Sequence, residues 1–459
     1  MSDKTAVFGL DPEARSRLLG RFTGRRAASA ANPALGATEA MPPRPPVLGA
    51  PDRYEEIRMM RQAADLLRIE DPFFNVHDGI AGASTSIDNA PLSNYASYNY
   101  IGLNGHPRVA AAAKAAIDAF GTSVSASRIV SGERPIHRTL EREIAEIYGA
   151  EDAVAMVSGH ATNVTVIGCL LGQGDLIVHD ALSHNSIVQG AILSGAHRVS
   201  FPHNDLEALD GMLATLRPRH KQALVIVEGH YSMDGDIPDL ARLIPIVRRH
   251  RASLMVDEAH SLGVLGARGH GIAEHAGVDP SEVDVWMGTM SKTLAGCGGY
   301  VAAKQELIDF LKFTAPGFVY SVGMPPPVAA ASLEALRIMR AEPDRVTKLN
   351  ANGARFQARA KAAGLDTGTA IGSAIIPIIL GSSIRAVKVS HALFERGINV
   401  QPIIHPAVPE RAARLRFFIS SLHEFDQIDE TVAIVAEEVA RVKAERISLA
   451  TLKAQLIAR

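Results

Sequence analysis

Lys292 has the sequence surroundings of a lysine that does chemistry. It stands in residues 288–299 (GTMSKTLAGCGG), a run of small and hydroxyl-bearing side chains directly after the mostly apolar segment 283–287. That run contains no acidic residue, so the ammonium group has no carboxylate close to it in sequence. A partly desolvated amine loses its proton readily and can form a Schiff base with an aldehyde. The alternative is a solvent-exposed lysine in a glycine-rich loop.

Asp257 and His260 follow another apolar segment, 35 residues before Lys292. Residues 253–256 (SLMV) predict a short buried strand, and the ligand crevice of an α/β sheet lies at the carboxyl ends of its strands. A carboxylate there can pair with the ring nitrogen of pyridoxal 5'-phosphate (PLP), whose aldehyde suits a reactive lysine, and keep the ring an electron sink. The alternative for Asp257 is a helix cap.

Two further polar clusters come directly after predicted strands. Residues 158–163 (SGHATN) open a helix, so the backbone N–H groups of Gly159 and His160 are candidates for binding a phosphate. A plain strand-to-helix junction explains the same residues. His184, in residues 179–186 (HDALSHNS), is a candidate to stack over a ring, and its alternative is an ordinary hydrogen-bonded loop histidine.

Ser232 and Arg416 are candidates for lining the same site. Ser232 and Glu228, in a polar cluster at a predicted strand end, are both lining candidates, and the Asp234-Gly235 pair there is equally typical of a tight turn. Arg416 lies in the apolar segment 414–419 (RLRFFI) and could hold a carboxylate through two parallel hydrogen bonds. Its alternative is an edge-strand arginine that faces water.

Composition indicates a globular protein with small-molecule or protein partners. The 459 residues carry a net charge of -2, which gives no reason to expect binding to nucleic acid or an anionic membrane. No apolar run is long enough to span a membrane. The two cysteines, both in buried-looking surroundings, are too few for a disulfide framework or a cysteine metal site, and we predict no metal. Arginines between 15 and 26 lack the apolar stretch of a secretory signal, so we expect a cytoplasmic protein.

Alternating helix and strand patterns predict an α/β fold with a mostly parallel sheet covered by helices. The predicted strands are 153–157, 176–178, 224–227 and 254–256, with 374–380 and 415–419 in a smaller C-terminal α+β part that ends in a helix over 428–443. Residues 11–22 predict a short helix, 27–51 an Ala/Pro-rich linker and 54–69 a further helix. We predict three parts: an N-terminal extension (1–90), a large PLP-binding domain (91–340) and a small C-terminal domain (341–459).

Together, the motifs from about residue 95 to 440 resemble those of the α-oxoamine synthases. This family of fold type I PLP enzymes includes serine palmitoyltransferase, 8-amino-7-oxononanoate synthase, 2-amino-3-ketobutyrate ligase and 5-aminolevulinate synthase. The resemblance implies decarboxylative condensation of a small amino acid with an acyl thioester, on coenzyme A or an acyl carrier protein, to give an α-amino ketone. It also implies a homodimer with shared active sites.

The resemblance implies a role for each motif residue. Lys292 would attach PLP covalently and remove the α-proton, Asp257 would pair with the pyridine nitrogen, and His260 would contact the ring hydroxyl. His184 would stack on the ring, Ser232 would contact the cofactor, and Arg416 would bind the substrate carboxylate. The phosphate would be bound by Gly159, His160, Thr289 and the other subunit's Ser321.

Two positions depart from the family pattern. Tyr98 stands where many members have an asparagine thought to touch the substrate, which leaves the amino acid open among glycine, alanine and serine. Val322 replaces a frequent threonine in the cross-subunit phosphate segment.

The alternative functions are an aminotransferase or decarboxylase on the same fold and a non-catalytic partner subunit. The basic segment 15–26 suits either an acidic carrier protein or a dimer-packing arm.

Overall fold

The computed structural model describes residues 72–445 together with Tyr54, Arg58, Arg61 and Gln62, four positions that are helical. The predicted helix over 11–22, the linker over 27–51, the rest of the predicted helix over 54–69 and the basic segment 15–26 lie outside the described residues. Within the described part, each helix is too short or too polar to cross a bilayer.

Fourteen strands are found in the described chain. They are β1 (His77–Asp78), β2 (Ser84–Ile87), β3 (Ala90–Asn94), β4 (Asp152–Met156), β5 (Leu176–Asp180), β6 (His197–Phe201), β7 (Ala223–Glu228), β8 (Ser253–Asp257), β9 (Val285–Thr289), β10 (Gly299–Ala303), β11 (Ile375–Ile379), β12 (Ile398–Asn399), β13 (Gln401–Ile403) and β14 (Arg414–Phe418).

Thirteen α-helices accompany these strands over residues 72–445. They are α1 (Pro107–Phe120), α2 (Pro135–Tyr148), α3 (Gly159–Leu170), α4 (Asn185–Ser194), α5 (Leu206–Leu216), α6 (Leu240–Arg249), α7 (Ile272–Ala276), α8 (Gln305–Thr314), α9 (Pro316–Val319), α10 (Pro326–Ala341), α11 (Asp344–Ala362), α12 (Ser383–Glu395) and α13 (Phe425–Ala444).

A seven-stranded sheet with the order β4-β10-β9-β8-β7-β5-β6 forms the centre of the molecule. Strands β5 to β9 pair in parallel, and β10 is antiparallel to both β4 and β9. β4 therefore runs the same way as β9, and six strands end at one edge. Leu176 and Val178 belong to the core on one face while Ile177 belongs to the core on the other. The predicted α/β fold with a mostly parallel sheet is confirmed.

Two smaller sheets complete the described chain. β11, β14 and β13 form an antiparallel sheet in which β14 is central, and β1, β2, β3 and β12 form a four-stranded sheet. β12 pairs in parallel with β3, so residues near the start of the described chain pack with the C-terminal segment. The predicted boundary at residue 90 falls in the hairpin of β2 and β3.

Candidate active site

The carboxyl ends of β4, β7, β8 and β9 border a cavity of about 270 Å³. Parallel strands bring residues distant in sequence to this one edge, which is where such sheets bind ligands. Eight of the residues predicted from the sequence line the cavity: Gly159, His160, His184, Glu228, Asp257, His260, Thr289 and Lys292. Another cavity, of about 350 Å³, lies at the opposite edge among the first residues of the strands, away from this cluster.

Lys292 is half-buried in the loop after β9. Burial lowers the pKa of its ammonium group to about 8, although the nearby Asp257 and Glu228 carboxyl groups act in the opposite direction. Acidic groups absent from its local sequence are thus brought near by the fold. The Lys292 Nζ lies 5.6 Å from the centre of the Tyr98 ring. At pH 7 about a tenth of this amine is unprotonated, and the unprotonated amine is the state that reacts with an aldehyde.

Asp257 presents a buried carboxylate at the base of the cavity, with 4% of its surface exposed. Its Oδ1 accepts a hydrogen bond from the Ala259 N–H at 2.9 Å, and its Oδ2 accepts one from Asn163 Nδ2 at 2.8 Å. Burial, followed by the charge of Asp257, raises the pKa of the neighbouring Glu228 to about 8. Asp257 is therefore the carboxylate available to face a protonated ring nitrogen.

His260 is held as a neutral imidazole beside the cavity. Its Nδ1 lies 2.7 Å from the Tyr100 hydroxyl. Burial, then the positive charges of Lys292 and Arg416, lower its pKa well below the usual value for histidine. The sequence motif that contains Tyr98 also contains Tyr100, but the family pattern gave no reason to connect Tyr100 with His260.

The N-terminus of α3 faces the cavity beside Thr289. Ser158 caps the helix by accepting a hydrogen bond from the Ala161 N–H at 3.3 Å. The first N–H groups of a helix have no carbonyl partner within it, so those of Gly159 and His160 can donate to an anion. A Cβ on Gly159 would lie 2.7 Å from Thr289 Oγ1, so only glycine allows α3 to approach β9 this closely.

Arg416 is a guanidinium without a complete set of partners. It lies on the central strand β14, so the edge-strand alternative is wrong. Its Nη1 donates to the Ser232 carbonyl at 3.0 Å, whereas its buried Nε has no hydrogen-bond partner within the described residues. Burial lowers its pKa. A buried cation with an unused donor favours the binding of an anion here.

Tyr98 lies near Lys292 and packs on the same ring, Phe418, that this guanidinium contacts. Its ring packs edge-on against the Phe418 ring at 4.8 Å, and Arg416 Cζ lies 4.5 Å from the same Phe418 ring. Tyr98, Ser291 and Lys292 also line a further cavity of about 340 Å³. Lys292 therefore borders two cavities, with Tyr98 in the wall of the second.

Two predicted site residues, Ser232 and Ser321, lie outside the cavity around Asp257. Ser232 contributes its backbone carbonyl to Arg416, while Ser321 lies near the surface, where its hydroxyl bonds the Val322 carbonyl at 3.2 Å. Neither serine lines the cavity around Asp257. Cys297 does line that cavity and is exposed, which corrects the expectation that both cysteines are buried.

The donor set of the cavity fits PLP. Lys292 supplies an amine for the aldehyde, Asp257 a carboxylate for the ring nitrogen, and the close approach of Gly159 to Thr289 leaves the α3 N-terminus open to a phosphate. Asn163 and Ser186 also line the cavity, although they were not predicted as site residues. Asn163 could have been found, because it lies one helical turn after Gly159 and so shares its face of α3.

Comparison with known proteins places this site in a family. Residues 91–435 match the model of the aminotransferase class I and II family. The 8-amino-7-oxononanoate synthase of Methylococcus capsulatus is 40% identical over 353 residues, covering 77% of this chain and 90% of that protein.

Two solved structures are similar to the whole described fold. The serine palmitoyltransferase of Sphingomonas wittichii superposes with a TM-score of 0.82 and 31% identity, covering 86% of this chain and 98% of that chain. A variant serine palmitoyltransferase from S. paucimobilis, solved with bound PLP–myriocin aldimine, gives a TM-score of 0.81 and 28% identity, covering 86% of this chain and 100% of that one.

The chain belongs to the α-oxoamine synthase family of fold type I PLP enzymes. It is a PLP-dependent acyltransferase, and its reaction is the decarboxylative condensation of an amino acid with an acyl thioester.

Proposed function

We propose that this enzyme condenses a small amino acid with an acyl thioester through the residues of the Lys292 cavity. The observation that carries the proposal is the half-buried Lys292 amine, with its pKa lowered to about 8, in the same cavity as the buried Asp257 carboxylate. The relatives support the product class, because 8-amino-7-oxononanoate names an amine and a ketone on adjacent carbons.

Each of these residues would have one role toward PLP. Lys292 would hold PLP covalently, Asp257 would pair with its ring nitrogen, His184 would cover the ring and His260 would contact the ring hydroxyl. Gly159, His160 and Thr289, at and beside the α3 N-terminus, would bind the phosphate. Ser232, whose carbonyl accepts from Arg416 outside the cavity lining, stays a predicted cofactor contact. When bound, PLP supplies a conjugated ring that stores the electron pair left after an α-proton is removed.

The chain's own side chains orient the amino acid and move its proton. Arg416 binds the substrate carboxylate with the donor that has no partner in the described chain. Lys292, once free, takes the α-proton as a general base, for which a pKa of about 8 is well matched to neutral pH. The neutral His260 can donate a hydrogen bond without adding a third cation beside Lys292 and Arg416.

Tyr98 limits the amino acid to a small side chain. Its ring stands 5.6 Å from Lys292 Nζ and packs on Phe418, next to Arg416, so the substrate α-carbon has little space on this side. The second cavity, beyond Tyr98, is lined by the amide side chains of Asn94, Asn99 and Asn104 and leads to Lys292. Such polar walls suit the amide-bearing arm of an acyl thioester on coenzyme A or on an acyl carrier protein.

A homodimer with shared active sites explains where Ser321 lies. Ser321 stands between Tyr320 and Val322, which are 86% and 47% exposed, and Val130 nearby is 80% exposed. The two surface segments are joined, because the Gly323 N–H donates to the Ala126 carbonyl at 3.0 Å. A second copy would cover this apolar surface and carry Ser321 to the phosphate of the opposite site.

We place the enzyme in the cytoplasm, where two unpaired cysteines remain reduced.

Product analysis tests this function. The purified protein, loaded with PLP, is incubated with glycine, alanine or serine and with acyl thioesters on coenzyme A or on acyl carrier protein, and products are identified by mass. We expect an α-amino ketone that requires both substrates. Conversion of PLP to its amine form by amino acid alone would instead support an aminotransferase, and absence of turnover in every combination would support a non-catalytic subunit.

A further inference from the structure

Asn163 and Ser186 connect two residues of the active-site cavity through hydrogen bonds. Asn163 Nδ2 lies 2.8 Å from Asp257 Oδ2 and 3.0 Å from Ser186 Oγ. Ser186 Oγ in turn lies 2.7 Å from His184 Nδ1. Both linking residues are almost fully buried, with 2% and 1% of their surfaces exposed. An unbroken chain of bonds therefore runs from the base of the cavity to the histidine on its wall.

The chemistry of these groups fixes the direction of each bond. An ionised carboxylate only accepts, so the nitrogen of the Asn163 amide faces Asp257 and its second proton goes to Ser186 Oγ. The single hydroxyl proton of Ser186 is then available to His184 Nδ1. The Ser186 backbone N–H, which can only donate, points to the same Nδ1 at 3.3 Å. Because Nδ1 accepts twice, a neutral His184 carries its proton on Nε2.

The Asn163 amide is not explained by folding alone. Its Oδ1 is buried without a hydrogen-bond partner in the described chain, and an orphaned buried carbonyl costs stability. The donor half of the amide, by contrast, is fully used by Asp257 and Ser186. The side chain thus serves as a donor toward the cavity residues.

We propose that Asn163 and Ser186 are positioning residues that hold His184 in its Nε2–H tautomer and fix the orientation of the Asp257 carboxylate. The inference rests on the proposed function of the cavity, in which these two side chains flank the cofactor. His184 then presents an N–H donor to the ligand. Protonation of Nδ1 is disfavoured, because it would place a proton against two donors of Ser186.

The tautomer is measurable in the cofactor-free protein by ¹⁵N NMR of ring-labelled histidine, with the His184 signals assigned from a His184→Gln variant. We expect the wild-type protein to show protonated Nε2 and unprotonated Nδ1. Ser186→Ala should give a mixture of the two tautomers. Ser183→Ala is the matched control, because the Ser183 hydroxyl in the same loop has no partner in the described chain, and it should match wild type. A protonated Nδ1 in the wild type, or no change in Ser186→Ala, would overturn the proposal.

The effect on Asp257 is tested through cofactor retention. Asn163→Leu keeps the side-chain volume but removes the donor, and we expect the Kd for PLP to rise about 10-fold, as for loss of one charged hydrogen bond. Ser183→Ala should retain the wild-type Kd. If Asn163→Leu does not fold, Asn163→Ser, which also lacks the double donor, is used in the same measurement. An unchanged Kd in a folded Asn163 variant would contradict this part. Because the NMR measurement needs no cofactor, its failure is distinguishable from failure of the proposed reaction.

Discussion

At the scale of single residues, the central chemical feature is that neighbouring buried carboxyl groups have different surroundings. Asp257 accepts two hydrogen bonds, whereas burial keeps Glu228 and Glu258 largely protonated near neutral pH, each with a pKa raised to about 8. Asp257 thus differs from these two neighbours in the pair of hydrogen bonds that hold its oxygens at the cavity. In low-dielectric surroundings such placement is worth far more than in water.

Replacement of Asp257 by asparagine should separate cofactor binding from catalysis. The amide keeps the shape but cannot hold the proton of a ring nitrogen, so we expect PLP to bind while turnover falls roughly 100-fold, as for loss of a preorganised electrostatic group. Steady-state kinetics and the absorption spectrum check this. Glu258→Gln, in the adjacent buried carboxyl that does not line the cavity, is the control and should retain near-normal turnover. Near-normal turnover in Asp257→Asn would refute the assigned role.

The lowered pKa of Lys292 predicts how cofactor attachment depends on pH. Only the neutral amine attacks an aldehyde, and its population grows as pH rises through about 8. The rate at which the cofactor-free enzyme takes up PLP should therefore increase from pH 6.5 to 9 and then level off. Rapid-mixing absorption measurements give this rate, and a flat profile would contradict a pKa of about 8 for this amine.

At the scale of elements, His203 forms a clamp with Asp180 and Asp236 that connects several loops that carry the site. Its Nδ1 and Nε2 lie 2.9 Å from Asp180 Oδ1 and Asp236 Oδ2, and Thr369 donates to the same Asp236 oxygen at 2.9 Å. Asp180 also accepts from the Leu182 N–H at 2.7 Å, in the loop that leads to His184. Burial opposes the charged form, yet the two carboxylates raise the pKa of His203 to about 10.

This clamp should contribute stability that depends on pH. The pKa of His203 in the folded protein exceeds its value of about 6.5 in the unfolded chain. The stabilisation by the clamp is therefore complete below pH 6.5 and declines as pH rises through about 10. We expect His203→Gln to lower the free energy of unfolding by about 1–2 kcal/mol at pH 6, allowing for solvent screening, and by much less at pH 10. Urea unfolding at both values checks this. His197→Gln, on an exposed histidine of β6, is the control, and an equal loss at both pH values for His203→Gln would argue against the clamp.

The elements themselves were predictable where burial dominates the sequence pattern. β4, β5, β7 and β8 match the predicted strands to within one or two residues, because strands that are buried on both faces read as continuous apolar runs. β6 was missed because its exposed edge position places charged and polar residues among the apolar ones. β10 was missed because it starts inside the glycine-rich run that follows Lys292.

The site was predictable only as far as its motifs extend. Asp257, His260 and Lys292 stand at strand ends and could be found from the sequence. The bond between Asn163 and Asp257 joins residues 94 positions apart, and nothing in either local sequence indicates it. The environment of Lys292, with carboxylates supplied by β7 and β8, likewise exists only once the strands are aligned.

At the scale of the whole molecule, the exposed apolar surface around Val130 and Tyr320 predicts a dimer. Val130→Asp places a charge on a side chain that is 80% exposed in the single chain, so the isolated fold should tolerate it while association is lost. Sedimentation should show a dimer for wild type and mostly monomer for the variant, with PLP retention reduced at least several-fold. Ile371→Asp, 41% exposed elsewhere on the surface, is the control. An unchanged dimer in Val130→Asp would place the interface elsewhere.

The most direct test concerns the covalent bond between this chain and its cofactor. The PLP-loaded enzyme is treated with borohydride, digested and mapped by mass spectrometry. We expect a reduced pyridoxyl phosphate adduct on the peptide that contains Lys292, and no adduct at any other lysine. Lys292→Ala should bear no adduct and show no turnover. An adduct at a different lysine, or full activity in Lys292→Ala, would contradict the account.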